Sequence, residues 1–152
     1  MPIFHGRLVF DKETDEKHRW ITPVNGVQFK IYITQKRVPD PVPSEIEASV
    51  YASKSLYTRS FDWVGGKTVR ELSNRDKAEL EAIGVDAEAL KAAGPEAIFG
   101  AVWKPKEDHT ETVRYNAYRG VEELEFGDPY IPKSLLREPY PDRLLFLIRW
   151  MP

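Results

Sequence analysis

The sequence predicts an α+β domain: a mainly antiparallel curved sheet or small barrel, interrupted by a short two-helix insertion at about residues 68–94. Three observations lead there. Apolar and polar residues alternate with a period of two at 27–35, 45–52 and 112–118, the period of half-buried strands. An Asn25-Gly26 pair and proline- or glycine-rich breaks separate the extended stretches, as hairpins and surface connections require. Good helix formers cluster in the middle of the chain, and strands grouped on either side of helices indicate antiparallel rather than parallel pairing.

The first expected strand is 3–10, followed by a polar stretch from Asp11 to Glu16. Residues 18–22 resume an extended path to the Asn25-Gly26 turn. Beyond it, Val27, Phe29, Ile31 and Ile33 fall on one side and Gln28, Lys30, Tyr32 and Thr34 on the other, so 18–35 reads as a β-hairpin. Pro39, Pro41 and Pro43 exclude helix or central strand from the next segment. Ile46, Ala48, Val50 and Ala52 then alternate with Glu45, Glu47, Ser49 and Tyr51, and 56–63 is read as extended too.

The middle reads as helical. Thr68 to Leu72 forms one turn, Ser73 and Asp76 resemble a capping box, and Arg75 to Ile83 follows, with Gly84 where a glycine ends a helix. Asp86 caps a second helix, Ala87 to Ala93, which Gly94-Pro95 stops. Strands return at 98–103 and 110–118, flanking a loop from Lys104 to His109. The stretch to Pro141 is irregular, with one helical turn at 133–137. Residues 143–150, RLLFLIRW, are apolar on both sides, which marks a strand buried on two faces or lying in a subunit interface.

Composition limits the function. A chain of 152 residues with 41% apolar side chains supports one hydrophobic core without disulfide or metal staples, so a single domain over 1–152 is expected. The absence of cysteine excludes a disulfide scaffold, Cys-ligated zinc, iron–sulfur clusters and thiol catalysis. The N-terminal residues lack the apolar stretch of a signal peptide, and the longest apolar run, Leu144 to Ile148, is far short of the roughly 20 residues that span a bilayer. A cytoplasmic protein with no membrane partner is expected. Scarce Asn, Gln and Met beside 12 prolines match a thermophile's protein, and ordinary genome bias yields the same pattern.

Charge is unevenly placed. Residues 1–60 hold nine basic and seven acidic side chains, whereas 61–98 hold five and eight. From Lys17 to Pro39 there are five cations and no acid, with aromatics among them. Cations that follow phosphates beside rings that stack on bases are the means of binding single-stranded nucleic acid. The candidate contacts are Lys17, Arg19, Lys30, Lys36 and Arg37 for phosphates and Trp20 and Tyr32 for stacking. Solvated strand faces also carry Lys, Thr and Tyr for strand propensity and protection from aggregation.

Other motifs are incomplete. Gly66-Lys67-Thr68 resembles a P-loop ending, but Phe61 stands where the motif needs glycine. Leu80 to Val85 resembles a helix-hairpin-helix turn, but Ala82 replaces one glycine and acidic flanks repel phosphate. No G-x-S-x-G and no paired metal-ligand histidines are present. No cofactor or metal is expected.

The reading is therefore a non-enzymatic binding module whose basic, aromatic N-terminal hairpin takes single-stranded nucleic acid. One alternative is a protein-interaction or homo-oligomeric protein using Tyr130, Leu135, Leu136 and Trp150. Another is a small hydrolase-like enzyme centred on His109 with Glu107, Asp108 and Glu111.

Overall fold

The alternating stretches become strands in the computed structural model, which describes residues 2–14, 16–53, 74–86, 97–117 and 127–151. Among these residues the strands are β1 (Phe4–Thr14), β2 (Lys17–Val24), β3 (Val27–Thr34), β4 (Glu45–Ser53), β5 (Ala97–Asp108), β6 (Thr112–Ala117), β7 (Tyr130–Pro132) and β8 (Arg143–Trp150). One α-helix, α1 (Asn74–Ala82), lies between β4 and β5, and 3₁₀ turns follow β3 at Gln35–Arg37 and β7 at Lys133–Leu135. The sheet curls on itself in the order β1-β2-β3-β7-β6-β5-β8-β4, and β4 pairs back onto β1. Every neighbouring pair is antiparallel.

The interior is made by the inward set of each strand. Leu8, Trp20, Phe29, Ile31, Ile46, Val50, Val113, Tyr115, Ile131, Leu144, Phe146 and Ile148 are among its fully buried members. Burying such side chains contributes about 1.5–3 kcal/mol each, which fixes register, because a one-residue slip would turn every one of them outward. The two large polar rings in the core are satisfied at their tips. Trp20 Nε1 donates to the Pro43 carbonyl at 3.1 Å, and Tyr115 Oη donates to the Pro141 carbonyl at 2.8 Å.

The β2–β3 hairpin closes with Asn25 at φ 50° and Gly26 at φ 83°. Two positive φ values in a two-residue loop match the twist of the flanking strands. The register then sets Arg19 opposite Tyr32 and Trp20 opposite Ile31. β1 runs on through the polar residues 11–14, beyond the expected end at residue 10. Asp11, Lys12 and Glu13 are exposed and Thr14 half-buried, while the backbone pairs Glu13 with His18 and Thr14 with Lys17. β5 likewise continues through 104–108, where a loop was expected. Register shifts on both sides of Pro105 let a proline-containing segment remain in the ladder.

The α+β class with a two-helix insertion is overturned. The described residues form an antiparallel sheet with one nine-residue helix and two 3₁₀ turns. A helical layer needs an apolar stripe. Among the described side chains of α1 only Leu80 is buried. The helix does end as its glycine predicts. Gly84 has φ 92°, its N–H donates to the Glu81 carbonyl, and Val85 N–H reaches back to the Leu80 carbonyl at 2.8 Å. This is a Schellman closure with Leu80 and Val85 both buried. The expected turn at 68–72, capping Ser73, second helix at 87–93 and extended stretch at 56–63 lie outside the described residues.

β8 is apolar on both faces in fact as in sequence. Leu144, Phe146 and Ile148 enter the core, while Leu145 is also fully buried and Leu147 half-buried.

Candidate functional site

Strand alternation divides the predicted binding residues between two environments. On β2, Lys17 and Arg19 face outward, whereas His18 and Trp20 face the interior. Trp20 is fully buried against Trp150, with ring centroids 5.7 Å apart, so it offers no ring to a ligand. On β3, Lys30 and Tyr32 are half-buried on the outer wall. The turn after β3 leaves Lys36 exposed and buries Arg37 at 9% exposure, which withdraws the Arg37 charge from the surface. Lys17, Arg19, Lys30 and Tyr32 are thus the predicted residues that share one face.

Arg19 joins two strands there. Its Nη1 lies 3.4 Å from the Tyr32 hydroxyl and its guanidinium 5.9 Å from the ring centroid. Its Nε donates to Asp11 Oδ2 at 2.7 Å, and Nη2 makes a second contact with the same oxygen. Burial opposes the charge on Arg19, but the bonds to Tyr32 and Asp11 outweigh it and push its pKa above the ordinary value.

The structure adds residues that the hairpin alone did not reveal. Lys30 pairs with Tyr130 across β3–β7, and Arg114 pairs with Tyr130 across β6–β7. Tyr130 therefore stands at the centre of the face. Lys30 Nζ is 5.5 Å and Arg114 Cζ 5.6 Å from its ring centroid. The Tyr32 ring lies 6.2 Å away and the His109 ring 5.8 Å away. Arg114 is held by buried Asp128 at 3.1 Å and by Glu107 at 3.5 Å. Among the described residues neither Lys17 nor Lys30 has a carboxylate partner.

Tyr130 divides two surface clefts. One, of about 370 Å³, is lined by Lys17, Tyr32, Arg114 and Asp128 among others. Its floor needs glycine at 127. A Cβ there would lie 2.9 Å from both Lys17 Cδ and Tyr32 Cβ, and Gly127 N–H donates to the Tyr32 carbonyl at 3.0 Å. The other cleft, of about 480 Å³, lies beside Lys30 and the β5–β6 loop.

The remaining candidates are placed differently. His109 is exposed in the β5–β6 loop, with Glu107 Oε2 2.9 Å from its Nε2, while Asp108 instead meets Lys133. Among the described residues no group of three or more His, Cys, Asp and Glu side chains is arranged to hold a metal ion. His5 Nδ1 lies 2.8 Å from Ser49 Oγ on the outer wall, away from buried His18. Leu135, Leu136 and Trp150 are half-buried and pack against the core. No helix among the described residues is long and apolar enough to cross a membrane.

The sequence points to Tyr130 only as a contact for protein partners and does not single out Arg114 within the alternating stretch 112–118. Tyr130 meets the hairpin through long-range contacts, the Lys30–Tyr130 pairing and the Tyr32–Tyr130 ring contact. Compared with known proteins, the chain matches no family model and no curated sequence.

Proposed function

We propose that this protein is a cytoplasmic, non-enzymatic binding module that takes single-stranded nucleic acid on the outer wall of β2, β3, β7 and β6. The observation that carries the reading is the meeting of two half-buried tyrosines, Tyr32 and Tyr130, with Lys17 and Lys30 on one face. Rings give sequence-tolerant stacking, and ammonium groups give salt-dependent attraction to phosphate. Unpaired strands suit this arrangement because only they expose base faces to tyrosine.

The balance of charges favours modest affinity. Arg19 and Arg114 already have carboxylate partners, so Lys17 and Lys30 supply most of the counterion release. The test is fluorescence anisotropy of a labelled random oligonucleotide mixture at low salt. Binding at micromolar protein that weakens as salt rises supports the proposal. An unchanged signal at that concentration refutes it.

A further inference from the structure

The cleft between the first residues of β3 and the β5–β6 loop has the composition of a site for a single base. Its aromatic wall is formed by Tyr130 and His109, whose ring planes meet at 37° with centroids 5.8 Å apart. His109 is steadied twice. Glu107 lies 2.9 Å from its Nε2, and its backbone N–H donates to the Thr112 carbonyl at 2.9 Å. Gln28, Thr110 and Thr112 supply a polar, uncharged rim, and Lys30 supplies the cation. Glu111 stands at the edge, exposed, with its carbonyl occupied by the Lys133 N–H.

We infer that this cleft holds one nucleobase with its attached phosphate, either as a nucleoside monophosphate or as one residue of a single strand. The inference rests on the binding-face reading above and gives that face a defined subsite. A planar base lies against the Tyr130 and His109 rings. The Gln28 amide and the two threonine hydroxyls both donate and accept, so they can meet the mixed donors and acceptors on a base edge. The Lys30 ammonium takes the phosphate as a point charge. A volume of about 480 Å³ falls within the range of small-molecule sites, roughly 300–1,000 Å³.

The test is a titration of the full chain with adenosine 5′-monophosphate, followed by NMR, with ribose 5-phosphate as the control that lacks a base. The nucleotide is expected to shift the signals of Gln28, His109, Thr110 and Tyr130 saturably, and ribose 5-phosphate to leave them in place. His109→Ala is expected to weaken nucleotide binding at least fivefold, and His109→Phe, which keeps a ring, to restore most of it. Equal shifts with ribose 5-phosphate, or no shifts with the nucleotide, overturn the inference. If labelled oligonucleotides bind while the nucleotide leaves these four signals unmoved, the subsite is wrong and the wider face stands. If the nucleotide enters the cleft and oligonucleotides do not bind, the wider face is wrong and the cleft remains a mononucleotide site.

Discussion

Arg19 lies directly opposite Tyr32 across the β2–β3 ladder and covers part of its ring, while Asp11 holds the same guanidinium from β1. The most basic stretch of the sequence is thus partly neutralised by an acid that precedes it by only a few residues. A phosphate reaching Arg19 competes with Asp11, and a base reaching that face of Tyr32 displaces the guanidinium.

Asp11→Asn is therefore expected to strengthen oligonucleotide binding. One released cation steepens the log–log dependence of affinity on salt by about 0.7 for a single strand. Titrations at three or more salt concentrations measure the slope. A slope equal to that of the unaltered protein contradicts the restraining role of Asp11.

Lys17→Gln with Lys30→Gln is expected to act in the opposite sense. Two lost cations make the same slope shallower by about 1.4. Tyr130→Ala tests the rings and is expected to cost about 1–3 kcal/mol of binding. A thermal melt alongside separates lost stacking from lost fold, since Tyr130 also bridges β3 and β6.

Trp20 belongs to stability. Trp20→Ala opens a cavity in the barrel and is expected to cost about 3–5 kcal/mol in denaturant unfolding. Trp20→Phe keeps most of the volume, and the folded variant is expected to bind oligonucleotide as the unaltered protein does. Selective loss of binding in that variant would return Trp20 to the interface.

Alkaline stability depends on Tyr115. Burial, with help from Asp142 and Tyr140, pushes its hydroxyl well above the ordinary tyrosine value of 10. The folded state therefore keeps the proton where the unfolded chain releases it. The associated stability is complete below pH 10 and falls as the pH rises above that value. Unfolding followed between pH 8 and 11 is expected to show this loss, and Tyr115→Phe to flatten it. The same variant is expected to lose about 0.5–1.5 kcal/mol at neutral pH with the bond to Pro141.

Local features were the legible part of the sequence. The Asn25-Gly26 hairpin, the inward set Phe29, Ile31 and Ile33, and the Gly84 helix end depend on neighbours a few residues away, and all take the expected form. The α+β class does not hold because helix-forming composition at 75–83 gives a helix without an apolar stripe, and among its described side chains only Leu80 is buried. Extension of β1 through 11–14 and of β5 through 104–108 was hidden because the polar and proline residues there resemble loop residues. The site was half legible. Period-two alternation put Lys30 and Tyr32 outward, and the same rule turned Trp20 inward. The neighbourhood of Tyr130 depends on pairing between residues 30 and 130, which no local pattern encodes.

The most direct test maps an unlabelled oligonucleotide onto the protein by backbone-amide NMR at low salt. The expected shifts centre on Lys17, Arg19, Lys30, Tyr32, Arg114 and Tyr130, extending to Asp11 of β1, with the opposite wall of β4 and β8 unaffected. Shifts confined to that opposite wall, or none at saturating oligonucleotide, would contradict the assignment of this face.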